Sequence, residues 1–301
     1  MTVEFAVAGI EVNPLLPIAL AFAVGTVCSM AGVTGAFLLL PLQMTVFGFT
    51  SPAVSATNHV YNLFAGIGGP YRYAREGRLL LPLAGLLLAG TIPGIIGGMF
   101  IRVFLLPDPT TFRAFVAVIL FALGVQTLLR AYINRRDGRN QKMNTAGRLS
   151  SSKLDGAKFI FQYGSQKFSF SVPLVVSYAL LVGLISGAYG MGGGALLSSF
   201  LVGICGLPVH GTAGATILTS FVSSLIGTLS YTVFAQFSSL PVAVAPDWLL
   251  GVLLGLGGIA GTYTGALLQR RVPGPVLAGV LGILLLVIAF RYGESLFHLL
   301  S

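Results

Sequence analysis

Charged residues are scarce in this sequence. Of its 301 residues, 8% are charged and 55% are hydrophobic, whereas a soluble domain carries about 25% charged residues. The surface is therefore expected to face lipid, and the net charge of +9 does not indicate nucleic acid. Much of this charge lies between Arg130 and Lys167, where basic residues are typical of the cytoplasmic side of a membrane protein.

Acidic residues are missing from the middle of the apolar segments. Cation and proton pumps commonly place carboxylates at that depth, so the sequence disfavours a metal-cation carrier and a carboxylate-driven antiporter. It also lacks an HExxH helix and any Cys and His cluster with metal-ligand spacing, and we therefore expect no metal and no cofactor. All eight acidic residues lie at segment ends or in loops: Glu4, Glu11, Glu76, Asp108, Asp137, Asp155, Asp247 and Glu294.

Cysteine and catalytic signals are equally sparse. The two cysteines, Cys28 and Cys205, lie in apolar surroundings and predict buried thiols rather than a disulfide framework. Residues 1–14 hold no Lys or Arg, so the basic start of a cleavable signal peptide is absent. Ser55 and His59 are four residues apart, but neither a group that orients the base nor an oxyanion hole is evident. We do not expect an enzyme.

Two of the apolar segments are too short to cross a membrane, which takes about 20 residues. Each follows directly on a run of small residues, the first glycine cluster (Gly32 to Gly35) and the second glycine cluster (Gly190 to Gly194). We interpret the two arms around each cluster as a helical hairpin that turns inside the membrane, where irregular backbone is tolerated only against protein or a wet cavity. The apolar segments are 15–31, 36–48, 53–71, 79–101, 110–132, 173–189, 194–206, 213–236, 247–269 and 274–292.

Basic residues in equivalent loops suggest how the two halves are oriented. The loop after 53–71 carries Arg72, Arg75 and Arg78, whereas its counterpart at 237–246 carries no basic residue; the next pair of loops reverses this bias. Opposite bias favours halves of opposite orientation. An uninverted duplication is the alternative, because the total number of basic residues on each side hardly separates the two.

The predicted fold is an all-α integral membrane protein with two inverted repeats. Each repeat has a re-entrant, broken helical hairpin and three spanning helices, with repeat 1 at residues 1–132 and repeat 2 at 173–301. Residues 133–172 form a cytoplasmic linker, in which alternating aromatic residues around Gly164 and Ser165 predict a β-hairpin. The predicted location is the cytoplasmic (inner) membrane, crossed several times.

The glycine clusters suit an anion. A broken helix exposes free backbone N–H groups and a positive dipole end at the start of its second half, and glycine lets a ligand approach the backbone. Two interrupted segments at matching places in two halves are the usual sequence sign of a transporter binding site; the alternative is that the glycines only permit close helix packing. The predicted substrate-binding residues are Gly32, Thr34, Gly35, Thr57, Asn58, His59, Gly192, Gly193, Gly194 and Thr216.

His59 is an ionisable side chain deep in an apolar segment, and its charge can change near neutral pH. Its place beside Thr57 and Asn58 favours a role in substrate binding or proton coupling. The alternative is a structural histidine hydrogen-bonded to a neighbouring helix.

Five stretches of the chain resemble the sulfite exporter TauE/SafE family, also called the 4-toluene sulfonate uptake permease family. They are Ser55-Ala-Thr-Asn-His-Val-Tyr-Asn62 with Tyr71-Arg-Tyr-Ala-Arg-Glu-Gly-Arg78, Gly90-Thr-Ile-Pro-Gly-Ile-Ile-Gly97, Gly190-Met-Gly-Gly-Gly-Ala-Leu-Leu197 and Gly206-Leu-Pro-Val-His-Gly-Thr-Ala-Gly-Ala-Thr216. The first glycine cluster, Gly32-Val-Thr-Gly35, is poorer in glycine than the family's usual run.

The resemblance covers nearly the whole chain and implies a membrane carrier of sulfite, thiosulfate, sulfonates or sulfoacetate. We therefore expect a secondary transporter whose partners are a small anion and membrane lipid. A carrier of small carboxylates and an anion channel are the alternatives, and the coupling ion and oligomeric state are left open.

Overall fold

Helices make up most of the chain in the computed structural model, which describes residues 2–31, 33–77, 79–136, 149–155, 157–163, 166–207, 209–269 and 274–300. The helices are α1 (Leu15–Met30), α2 (Ala36–Val46), α3 (Ala53–Gly66), α4 (Gly68–Arg75), α5 (Leu81–Phe100), α6 (Pro109–Arg136), α7 (Val172–Tyr189), α8 (Gly194–Gly203), α9 (Val209–Phe237), α10 (Trp248–Leu268) and α11 (Gly274–Leu300). The strands are β1 (Val3–Phe5), β2 (Ile10–Val12), β3 (Leu149–Asp155), β4 (Lys158–Tyr163) and β5 (Gln166–Ser171).

The helices follow the apolar segments because backbone groups in lipid must be satisfied within the segment itself. Two helix starts are fixed by aspartate caps. The Asp247 carboxylate accepts from the Leu250 amide at 3.0 Å, and the Asp108 carboxylate accepts from the Thr110 amide at 2.9 Å. Such caps satisfy amides that the first helical turn leaves free.

Six helices of the described residues are long and apolar enough to cross a membrane, which confirms an all-α integral membrane fold. They are Leu81–Leu105, Pro109–Leu129, Val172–Tyr189, Thr212–Phe237, Trp248–Leu268 and Val276–Glu294. Leu81–Leu105 is α5 continued by a π-helical turn. Helices α1, α2 and α8 are apolar but shorter.

The six spanning helices differ from the predicted spanning segments in two places. Helix α7, predicted as one arm of a hairpin, is itself long enough to span. The predicted span 53–71 is divided at Ile67 into α3 and α4. Because Ile67 keeps helical angles (φ −59°, ψ −36°), the two pieces form one bent helical path, with glycines at 66, 68 and 69 beside the bend.

The most extensive contacts between the two halves correspond when the halves are exchanged. Counting five helical units in each half, α1 corresponds to α7, α2 to α8, α3 with α4 to α9, α5 to α10 and α6 to α11. Helix α1 packs along α10, and its counterpart α7 packs along α5. Likewise α3 packs on α10 and α9 packs on α5, while α3 meets α9 and α6 meets α11.

Counterpart helices that meet run antiparallel. Gly227 of α9 lies against His59 of α3, whereas Gly69, further along the chain in α4, lies against Ile217, earlier in α9. Helices α6 and α11 are also antiparallel, with Gly124 against Leu286 and Gly282 against Leu128 (both within 3 Å of a Cβ placed on the glycine).

Glycine stripes bring two helix pairs into backbone contact. On α5, Gly90, Gly94 and Gly98 lie against the backbone of α7. On α10, Gly257, Gly261 and Gly265 lie against the backbone of α1. Small residues four apart permit this close packing in a membrane. These glycines therefore serve packing.

The linker contains a three-stranded antiparallel sheet, in the order β3-β4-β5. Strands β4 and β5 occupy the segment for which a hairpin was predicted, and Tyr163 pairs with Gln166; the predicted turn at 164–165 lies outside the described residues. Phe159 and Phe170 are buried with Leu80 and Val175, at the starts of α5 and α7. The sheet thus packs on one end of the helices.

Candidate functional site

The second glycine cluster has a backbone that requires glycine. Helix α7 ends at Tyr189 and α8 begins at Gly194, and between them Gly190 (φ 86°) and Gly193 (φ 73°) adopt left-handed conformations. A Cβ at Gly190 would clash with the backbone of Ser55. The sequence therefore breaks the helix here for reasons of conformation and of close approach.

The start of α8 offers free hydrogen-bond donors. The first helical bond of α8 runs from the Leu197 amide to the Gly193 carbonyl, and in the described part of the chain no acceptor is found for the amides of residues 194–196. The Ser186 hydroxyl, which is 1% exposed, has no partner either. A Cβ at Gly193 would lie 2.6 Å from that oxygen, so hydroxyl and helix start are adjacent.

The first glycine cluster also places a helix start beside an unpartnered hydroxyl. Gly32 lies outside the described residues. Gly35 precedes α2, where its carbonyl accepts from the amides of Leu38 and Leu39, and it keeps a right-handed conformation (φ −66°). The Tyr61 hydroxyl, on a fully buried side chain, has no partner and occupies the space that a Cβ on Gly35 would need. Thr34 directly precedes Gly35, and among the described residues its hydroxyl also has no partner.

Helix α3 lies between the two glycine clusters and contacts both. The Ser55 hydroxyl donates to the carbonyl of Ala188, in the last turn of α7, at 2.8 Å. The Asn58 amide donates to the carbonyl of Ala36, in the first turn of α2, at 3.1 Å. One polar face of α3 therefore holds the ends of both hairpins.

Helix α9 completes the surroundings of the second glycine cluster. The Asn62 side-chain amide donates to the Ser224 hydroxyl at 2.7 Å. A Cβ on Gly192 would meet that same Asn62 nitrogen and the Ser220 hydroxyl. The backbone carbonyl of Thr216 lies beside Gly194. Neutral polar groups from two helices thus surround the start of α8.

Three predicted site residues have other roles or positions. The Thr57 hydroxyl accepts from the Asp247 amide at 2.9 Å, at the start of α10. The Thr216 hydroxyl donates to the Ala213 carbonyl of its own helix at 3.1 Å, so only its backbone reaches the cluster. The fully buried His59 ring lies against Gly227 and 6.2 Å from the Tyr231 ring, and neither ring nitrogen has a partner.

Sequence reasoning did not select four residues that the structure places at the glycine clusters: Tyr61, Asn62, Ser186 and Ser220. Helical spacing of polar residues could have indicated some of them. Ser55, Asn58 and Asn62 are spaced three and four apart and so share one face of α3. On α9, Thr216, Ser220 and Ser224 are each four apart. Ser186 carries no such periodic signal, because its role depends on how α7 meets the break.

The buried cation Arg102 makes its contacts outside the glycine clusters. Arg102 is fully buried, yet its guanidinium donates to the carbonyls of Thr50 (3.0 Å) and Leu106. It also lies 3.7 Å from the centre of the Phe112 ring. In the part of the chain that the structure describes, the polar side chains at the clusters are hydroxyls and carboxamides.

An apolar cavity of about 350 Å³ adjoins the second glycine cluster, between α6, α7 and α8. Val182 lines this cavity and also lies against Gly193. Gln126 is a polar residue in a lining that is otherwise apolar apart from the Tyr178 hydroxyl.

These features define a multi-pass helical membrane protein with two short helices that start inside the protein core. The sequence profile of the sulfite exporter TauE/SafE family matches residues 17–292. The chain belongs to this family, and it is a membrane transporter.

One curated relative resembles the chain over most of its length. The probable membrane transporter protein YunE of Bacillus subtilis is 20% identical over 273 residues, which cover 88% of this chain and 91% of the relative. No solved structure matches the chain.

Proposed function

We propose that the chain is a secondary transporter that moves small sulfur-containing anions across the cytoplasmic membrane. The candidate substrates are of the sulfite, thiosulfate, sulfonate or sulfoacetate type. The observation that carries this proposal is a pair of buried, unpartnered hydroxyls, Tyr61 and Ser186, each beside the start of a short helix.

Unused buried donors are costly to a protein. Leaving a buried polar group without a partner costs about 1–3 kcal/mol, and most buried groups are satisfied. A helix start adds amide donors and positive potential. An oxyanion accepts several hydrogen bonds at once and would satisfy both kinds of donor. Neutral donors also release an anion more readily than a fixed ion pair would, which suits a carrier.

Alternating access between two inverted repeats is the proposed mechanism. Two observations support the inverted arrangement: the contacts of the halves survive their exchange, and counterpart helices that meet run antiparallel. An axis within the membrane plane relates counterparts in this way. Rocking of one repeat against the other would expose the site between the glycine clusters to each side in turn.

Binding and counterflow together test this function. The purified protein is titrated with sulfite, thiosulfate, methanesulfonate and acetate while its thermal unfolding is followed. A ligand at 100 times its Kd should stabilise the protein by about 2.7 kcal/mol. In proteoliposomes, the stabilising anion should also support saturable counterflow. Stabilisation by acetate alone would indicate a carboxylate carrier, and unitary currents without counterflow would indicate a channel.

A further inference from the structure

The charge balance of the candidate site limits the charge of its ligand. Within the described residues, the hydrogen bonds and close approaches at both glycine clusters involve only uncharged groups. At contact distance, backbone dipoles are therefore the positive charge available to the ligand. Two helices, α2 and α8, start there, and each helix start carries the equivalent of about +0.5 elementary charge.

Both ends acting on one ligand would sum to about one positive charge, which would balance a monoanion and leave a dianion with one charge uncompensated. The cost of removing an ion from water grows with the square of its charge in the Born description, and a buried, unpaired charge is among the most expensive groups in a protein. A dianion would therefore face the larger desolvation cost with the same compensation.

Three ionisable side chains on helices α3, α5 and α10 or their ends are engaged or face elsewhere. The Arg102 guanidinium is held by Thr50, Leu106 and Phe112. The Asp247 carboxylate accepts from the Ala8 and Leu250 amides. The His59 ring faces Gly227 and Tyr231 on α9. None of these side chains is in contact with the two unpartnered hydroxyls in the structure.

We propose that the site selects monoanions. It would take sulfonates (R–SO₃⁻) and hydrogen sulfite, and it would discriminate against sulfite dianion, sulfate, thiosulfate and sulfoacetate. This inference rests on the proposed function and narrows its range of substrates.

Methanesulfonate and methylphosphonate form a matched pair of probes. Both carry a methyl group on a tetrahedral XO₃ centre, but above the second pKa of methylphosphonate the first has one negative charge and the second has two. Affinities are measured by calorimetry on the full-length purified protein at that pH. We expect methanesulfonate to bind at least tenfold more tightly. Dimethyl sulfone, which is similar in shape and neutral, should not bind.

Two serine variants locate the binding. Ser186→Ala removes the unpartnered hydroxyl beside Gly193 and should weaken methanesulfonate binding about tenfold, since hydrogen bonds to charged groups are worth roughly 1.5–3 kcal/mol. Ser199→Ala is the control, because the Ser199 hydroxyl already donates to the Ala195 carbonyl of α8 at 2.7 Å. Its affinity should stay unchanged.

The outcomes separate the two proposals. Equal or tighter binding of the methylphosphonate dianion would overturn monoanion selection while leaving a sulfur-anion transporter in place. Unchanged affinity in Ser186→Ala would show that the selecting site is not at α8 and would overturn the inference as drawn. Failure of every sulfur anion to bind would remove the proposed function, and the inference with it.

Discussion

The Tyr189 hydroxyl donates to the Phe37 carbonyl at 2.7 Å. Tyr189 is the last residue of α7, and Phe37 is in the first turn of α2. This bond therefore joins the end of one hairpin arm directly to the start of the short arm in the other half. Both residues are buried in one core cluster, so the two glycine clusters lie in a single packed region.

Tyr189→Phe tests whether this link changes during transport. The variant should lower the free energy of unfolding by about 1 kcal/mol, since it removes one hydrogen bond. It should also change the rate of counterflow, because rocking of the repeats must strain or break a bond between them. Tyr231→Phe is the control: the Tyr231 hydroxyl donates to the Gly187 carbonyl at 2.9 Å, and α9 and α7 belong to the same half. Equal counterflow rates in the two variants would argue against a moving link.

Gly193→Leu tests the second glycine cluster. Gly193 has φ 73°, and a side chain there would meet the Ser186 hydroxyl and Val182. We expect the variant to insert in the membrane but lose measurable anion binding, with Gly193→Ala intermediate. Gly203→Leu, at the other end of α8 where a side chain meets open space, should bind normally. Calorimetric affinities near the unmodified value in Gly193→Leu would show that the cluster serves packing alone.

The hydrophobic pattern was enough to predict the helices but not how they meet. The predicted segments 247–269 and 173–189 became α10 and α7 with shifts of only one residue at an end, because length and apolarity decide what crosses lipid. The bend at Ile67 was not foreseen, since the apolar run continues across it. The third strand β3 was also missed, because its residues show no clear alternation.

The left-handed glycines of the second cluster could be predicted from the sequence. The neighbours of each face of α3 could not. The left-handed Gly190 and Gly193 follow from the local sequence. Thr57, in contrast, faces the start of α10, and Asn62 reaches the second cluster instead. Which face of α3 meets which neighbour depends here on helix contacts between residues 130 or more positions apart, and no local pattern encodes these.

The proposed inverted arrangement predicts the orientation of two loops. We predict residues 72–78 inside and residues 237–246 outside, because the first loop carries three arginines and the second none. Cysteines are introduced singly at Arg75 and Ser239, both exposed, after replacement of Cys28 and Cys205. An impermeant thiol reagent applied to intact cells should label only the second. Labelling of both positions only after lysis would contradict the inverted model.

Thr57→Val separates a structural role from a binding role. The Thr57 hydroxyl accepts from the Asp247 amide in a buried site, so its loss should lower the free energy of unfolding by about 1–3 kcal/mol. Anion affinity should stay within about twofold, because the contact lies at the start of α10. Thr57→Ser keeps the acceptor and should restore most of the stability. A large loss of affinity without loss of stability would show that the Thr57 hydroxyl binds the anion.

His59→Gln tests proton coupling. A histidine in water titrates near pH 6.5, and the His59 ring is fully buried against Gly227 and Tyr231. If protons are coupled at His59, transport should vary with pH, and the variant should bind the anion but lose most of that variation. The chain has three histidines, and replacing His210 and His298 by Gln leaves His59 as the remaining imidazole. That double variant should keep the pH profile of the unmodified protein in proteoliposome uptake. Superimposed profiles for His59→Gln and the unmodified protein would assign His59 a packing role against Gly227 and Tyr231 and place the coupling step elsewhere.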